Sequence, residues 1–195
     1  LMRVSLRGVS LSDYSWGCPY LAKDKCRSII NGVFDNGRIL SADYLETSIT
    51  DVDLRIIVEE YHIDEIVPIE VYTARYGKLP EEMINTINEY YRKKTELKDV
   101  DGQEYLYMKS KNKLNSIYGM TAQDPVKESI LYEDEEFIID TSKSKKELLE
   151  DFMKRAFIPY TWGVWCTAWA RYELERGMRI VADQGGTFIY CDTDS

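Results

Sequence analysis

Two helical patterns separated by a four-residue connection constrain this chain more than any other feature. From Pro80 onward, Met83, Ile84, Ile87, Tyr90 and Tyr91 recur at helical spacing as an apolar stripe, with Glu81 and Glu82 at the positive end of the helix dipole. Proline suits the first helical position, so the spacing predicts a helix from Pro80 to about Leu97. Residues 99–102 leave room only for a tight turn, and residues 103–110 carry good helix formers without Gly or Pro. The second helix must therefore return beside the first as an antiparallel pair. On it Lys111, Asn115 and Tyr118 stand at i, i+4 and i+7 and share one stripe, while Gly119 is placed at C′ to end the helix.

The chain closes on a second constraining pattern. After Gly185 and Gly186, residues 187–195 read T-F-I-Y-C-D-T-D-S, a short apolar run entered from a turn, which predicts a buried strand. In extended chain Asp192 and Asp194 leave on the same side while Thr193 points away. Paired carboxylate oxygens suit Mg²⁺, which is commonly held by one or two carboxylates together with substrate phosphates. A strand ending in a polar turn has the same pattern, so the D-x-D spacing alone defines no site.

Between these landmarks the sequence alternates hairpins and helices. Residues 1–24 have mixed polarity and no clear period. Asn36-Gly37 between apolar runs is a strong hairpin signal, because a type I′ turn needs positive φ at both central residues. Thr50 or Asp51 can cap a helix to Tyr61, and residues 66–72 read as a strand that, given Pro68, is an edge or begins late. Residues 130–132 and 137–139 form a second hairpin, Ser144 and Glu147 a capping box for a helix to about Arg155, and Pro159 starts the last helix. Trp162, Trp165 and Trp169 on that helix read as core.

The 195 residues, 44% hydrophobic and 30% charged, describe an ordinary globular chain. No apolar run approaches the ~20 residues that span a bilayer and no signal peptide opens the chain, so no membrane partner and a cytoplasmic location are expected. Cys18, Cys26, Cys166 and Cys191 form no C-x-x-C pair and read as free buried thiols, and His62, the only histidine, reads as structural. A net charge of −9 disfavours a long duplex-binding surface. Residues 90–113 nevertheless hold seven basic residues against four acidic ones, a compact basic patch that suits a triphosphate.

The helical K-x-x-x-N-S-x-Y-G and the strand Y-x-D-T-D-S, in this order, resemble two signature motifs of family B DNA polymerases. Their combination is far more specific than either alone. The first resembles the fingers helix that holds the incoming nucleotide, the second the palm hairpin that carries catalytic metal. The K-T-E-L-K run resembles the basic pair that family members place on phosphates, which adds Lys94 and Lys98, with Lys93 as the substitute for Lys94. T-A-W-A-R, ending at Arg171, resembles the palm helix that precedes the D-T-D strand and should pack under it. The layout resembles the protein-primed phage, plasmid or organellar type, whose insertions between palm motifs would correspond to residues 25–76 and 124–158.

The resemblance implies an α+β fold: a partial polymerase palm, with an antiparallel sheet and packed helices, plus an antiparallel two-helix fingers unit. Residues 1–77 would be palm with an insertion, 78–120 the fingers, 121–158 a second insertion, and 159–195 the palm helix and catalytic strand. It implies nucleotidyl transfer to a primer 3′-hydroxyl with two Mg²⁺ ions, Asp194 bridging them and Asp192 assisting. Lys94, Lys98 and Lys111 would neutralise the triphosphate, and Asn115 and Tyr118 would shape the pocket. The implied partners are a DNA primer-template, deoxynucleoside triphosphates and a priming protein.

One part of the family pattern does not occur. The first palm motif, an Asp followed shortly by S-L-Y-P, is absent; Asp13-Tyr14-Ser15 and Asp43-Tyr44-Leu45 do not match it. The chain also stops at Ser195 halfway through the hairpin, without a thumb. The expectation is a fragment of a polymerase, inactive by itself. A reverse transcriptase or other palm polymerase would also carry paired aspartates, usually as adjacent D-D. A non-catalytic acidic interaction module would explain the charge and the missing motif, though not the two motifs together.

Overall fold

Alternation of apolar and polar residues in the opening M-R-V-S-L-R builds β1 (Met2–Leu11), the central strand of a six-stranded antiparallel sheet. This corrects the expectation that the first residues carry no period. Val4, Leu6 and Val9 are buried, and the alternation slips at Gly8, whose φ of +59° breaks the regular pleat. The computed structural model describes residues 1–12, 19–75, 77–122, 126, 129–133, 135–140, 142–156, 159–187 and 189. It is α+β and divides into two units, Leu1–Tyr76 with Trp165–Ser195 and Gly77–Val164.

In the first unit β2 (Cys26–Ile30) and β3 (Val33–Asp35) pair with β4 (Arg38–Ile49), which pairs with β1 in a register that sets Leu6 opposite Leu45 and Met2 opposite Ile49. The β3–β4 turn is the expected one, with φ of 43° at Asn36 and 75° at Gly37. On the other side of β1 lie β5 (Tyr61–His62) and β6 (Glu65–Val71), whose Pro68 stands beside an irregularity in the ladder. Helix α1 (Asp51–Glu60) is capped by Thr50 in a reciprocal box with Asp53. Its Ile57 joins Val4, Leu6, Ile39, Leu45 and Ile49 in one apolar core, each fully buried side chain contributing about 1.5–3 kcal/mol. Buried Tyr61 ties the segment before β2 to this core: its hydroxyl donates to the Ile39 carbonyl (2.9 Å) and accepts from the Leu21 amide (3.2 Å).

The second unit contains α2 (Glu81–Glu96), α3 (Glu104–Thr121), a hairpin of β7 (Ile130–Glu133) and β8 (Glu136–Ile139), and α4 (Lys145–Arg155) capped by Ser144 with Glu147. Helices α2 and α3 pack side by side through half-buried Met83, Ile84, Ile87 and Tyr90 against Tyr107, Leu114 and Ile117. Two details differ from the sequence expectation. Pro80 is the N-cap rather than the first helical residue. Helix α3 runs through Gly119 to Thr121, where the Ala122 amide donates to the Gly119 carbonyl (3.3 Å). The extension is held by packing, because Thr121 is buried against Gly163, where a Cβ would fall 2.8 Å from the Thr121 carbonyl oxygen.

Helix α5 (Tyr160–Asp183) enters the first unit from Trp165 onward. Its buried residues there are Ala168 and Met178, which corrects the expectation of a tryptophan core. Trp169 is 42% exposed and meets Tyr172 edge-on, while half-buried Trp165 donates from its indole nitrogen to Asp51 (3.0 Å). An indole at the rim of a core keeps its N–H satisfied, whereas the small Ala168 allows close approach. Cys26 is half-buried and Cys166 exposed, both free thiols, so the expectation of burial fails at Cys166; Cys18 and Cys191 lie outside the described residues. No helix among the described residues is long and apolar enough to cross a membrane.

Candidate functional site

The predicted nucleotide-contacting residues lie on the α2–α3 pair and in the turn that joins its helices. Lys94 is in the last turn of α2, Lys98 in the turn just beyond it, and Lys111 lies about 10 Å along α3 from Glu104 at 1.5 Å per residue. Cations at the end of α2 face the negative pole of its dipole, a favourable placement. Lys94 and Lys111 are half-buried on the flank of the helix interface, with Lys98, Asn115 and Tyr118 exposed.

Ion pairing separates these lysines from their neighbours. Lys93 donates to Glu89 at 2.5 Å, and Arg92 approaches Glu96 at 3.9 Å. Among the described residues no carboxylate pairs with Lys94, Lys98 or Lys111; Lys94 instead lies 5.9 Å from the Tyr91 ring centroid. Of the adjacent pair, then, Lys93 is the one already neutralised. A shallow depression on α3 is lined by Tyr105, Met108, Lys109, Asn112, Lys113 and Ser116, a different face from the Lys111, Asn115 and Tyr118 stripe.

Asp192 and Asp194 lie outside the described residues, as does most of the predicted strand that would carry them. Among the described residues no group of three or more His, Cys, Asp or Glu side chains could hold a metal.

A polar cluster in the first unit was not anticipated from sequence. Asp53 is 5% exposed, and its Oδ2 accepts from the Thr50 amide and hydroxyl, each at 2.9 Å. Its Oδ1 accepts from the Tyr20 hydroxyl and from Arg171 Nη2 at 2.7 Å, while Arg171 Nε donates to the Tyr20 oxygen at 2.7 Å. Burial alone would raise the Asp53 carboxyl; the bonds from Tyr20, Arg171 and Thr50 outweigh it and hold the group below the usual range. Burial first, then the Asp53 bond and charge, raise Tyr20, so its phenol stays protonated and donates. Three further contacts run between α1 and α5: Asp51 with Trp165, Arg55 with the Trp169 ring at 5.8 Å, and Glu59 with Arg179. The capping box T-x-x-D and the A-R at Arg171 are the only traces of this cluster in the sequence.

No family model and no curated protein matches the sequence. Among solved structures it is similar to Phi29 DNA polymerase complexed with primer-template DNA, a post-translocation binary complex, with a TM-score of 0.51 and 20% identity over 88% of this chain. The fold is polymerase-like. The chain spans 26% of the length of that polymerase, and at this identity the likeness is one of fold.

Proposed function

We propose that this chain is the fingers and part of the palm of a DNA-directed DNA polymerase of the protein-primed family B type, acting in phage-type or plasmid-type replication. The observation that supports the reading best is the setting of K-x-x-x-N-S-x-Y-G: it lies on the second helix of an antiparallel pair whose Lys94, Lys98 and Lys111 lack carboxylate partners among the described residues, in a polymerase-like fold. Cations that no carboxylate neutralises among the described residues are poised to bind an external anion, and phosphate oxygens match that demand.

In this reading the partners are a DNA primer-template, deoxynucleoside triphosphates and a priming protein. Lys111, with Lys94 and Lys98, neutralises the triphosphate, Asn115 faces the sugar, and Tyr118 stacks beside the base. Positioned charge is what phosphoryl transfer to a primer 3′-hydroxyl needs most. Asp192 and Asp194 are hard oxygen donors suited to Mg²⁺, and two ions held there would stabilise the attacking and leaving oxygens. The chain by itself binds nucleotide without polymerising, because the family's first palm Asp motif is not in it.

The metal half of the reading is tested with Mn²⁺ as the probe, followed by electron paramagnetic resonance with and without a deoxynucleoside triphosphate. Protein-bound Mn²⁺ that is lost in the Asp192→Asn, Asp194→Asn double variant is expected. Unchanged Mn²⁺ binding in that variant overturns the assignment.

A further inference from the structure

Asp and Glu outnumber Lys and Arg in this chain by 34 to 25, yet α3 holds a single carboxylate, Glu104 in its first turn, beside the three lysines Lys109, Lys111 and Lys113. A solvated helix face normally intersperses its charges, and the other helices do so: Lys93 pairs with Glu89 on α2, Lys154 with Asp151 on α4, and Arg176 with Glu173 on α5. On α3, Tyr105, Lys109, Asn112 and Ser116 recur at i, i+4, i+7 and i+11 with Lys113 beside them, and all five are exposed. The packing side lies opposite, where Tyr107, Leu114 and Ile117 are half-buried and Ser110 and Thr121 buried. The five exposed side chains border the shallow depression on α3, whose volume is about 480 Å³ and whose lining comes from this helix alone. Among the described residues no carboxylate pairs with Lys109 or Lys113, and no ring or cation packs on Tyr105, which is 74% exposed. The Ser116 hydroxyl donates to the Asn112 carbonyl at 2.7 Å, which leaves the Asn112 side-chain amide as the uncommitted polar group between the two lysines.

We propose that this face of α3 binds an unpaired nucleic-acid strand, with Lys109 and Lys113 on neighbouring phosphates, the Asn112 amide between them and Tyr105 stacked on a base. The two lysines are one turn apart, about 6 Å along the axis, so their charges follow a strand that runs along the helix. Lysine meets phosphate as a point charge, and an exposed aromatic ring gives any unstacked base a partner. A duplex hides its base faces and calls for more phosphate contacts than two lysines supply against a net charge of −9. An acidic peptide would satisfy the lysines but brings no regular planar partner for Tyr105. The inference does not rest on the polymerase reading and uses none of the residues assigned there to the triphosphate.

The test is fluorescence anisotropy of a labelled oligothymidylate of about 12 nucleotides across a salt series. The unmodified chain is expected to bind it, with affinity falling as salt rises. The Lys109→Ala, Lys113→Ala double variant should flatten the slope of log affinity against log salt by about 1.4, since each lost phosphate contact removes about 0.7. Tyr105→Ala should weaken binding roughly tenfold without changing that slope, and Tyr105→Phe should keep the parental affinity. Lys146→Ala, at an exposed lysine on α4, should change neither quantity. All these positions are exposed, so the substitutions leave the α2–α3 packing in place. Triphosphate binding measured on the same proteins reads the other site separately. No binding by the unmodified chain, or a double-variant slope equal to the parental one, overturns the proposal. So does a polyglutamate of the same length, or a duplex, bound as tightly as the single strand.

Discussion

Replacing Arg171 with methionine isolates the ion pair that fastens α5 to α1. The substitution keeps much of the side chain's apolar stem and removes the guanidinium that donates to both Tyr20 and Asp53. Asp53 would stay buried with its Thr50 and Tyr20 bonds and without its counter-charge. Breaking a buried pair by removing one partner costs about 3–5 kcal/mol. Arg171 is 33% exposed, so water can reach part of the vacated site, and the expected loss is about 2–3 kcal/mol. Urea unfolding followed by tryptophan fluorescence reads this directly, since Trp165 and Trp169 sit on α5 beside the pair. With a slope of about 2.5 kcal/mol/M, the midpoint should fall by about 1 M. In a double-mutant cycle with Asp53→Asn, the coupling should exceed about 1 kcal/mol. A loss below about 0.5 kcal/mol with no coupling would refute the claim that this pair holds the helix.

The same carboxylate predicts the acid limb of stability. Because Asp53 is held below its ordinary 3.8, its contribution is fully present above that value and lost as pH falls through the depressed one, so Asp53→Asn should flatten the unfolding curve below pH 4. Gly8→Ala should cost about 1–3 kcal/mol, since φ is +59° and the new Cβ would fall 1.9 Å from an Asp64 carboxylate oxygen. A thermal melt matching that of the parent chain would show that Asp64 and the strand relax freely.

Much of the fold was legible because local chemistry decided it. Helical spacing on either side of residues 99–102 specified the α2–α3 pair, Asn36-Gly37 specified a turn with two positive φ values, Thr50 or Asp51 marked the start of α1, and Ser144 with Glu147 marked the start of α4 as a capping box. The misses are places where distant residues overrode local preference. Gly8 slips the alternation of β1, so its strand character reads as noise. Gly119 would end α3 by itself, yet Thr121 is held against Gly163 and the helix continues. Trp169 resembles core by composition, but Ala168 takes the buried position beside it.

The candidate site divides in the same way. Periodicity alone placed Lys111, Asn115 and Tyr118 on one stripe of α3. Which of Lys93 and Lys94 lacks a carboxylate partner among the described residues depended on Glu89, one turn away, and emerged only with side-chain positions. The Asp53–Arg171 pair spans 118 residues of sequence, a separation that no local pattern bridges.

The central claim, that the α2–α3 lysines form a triphosphate site, is tested most directly by calorimetric titration of a deoxynucleoside triphosphate with Mg²⁺. The comparison is between the unmodified chain, Lys111→Ala and Lys113→Ala, the last an exposed lysine on a different face of α3. The account predicts binding in the unmodified chain that weakens by roughly tenfold or more in Lys111→Ala, as loss of a charge-assisted phosphate contact requires, and stays unchanged in Lys113→Ala. Equal binding by all three proteins, or no binding by any, would contradict it.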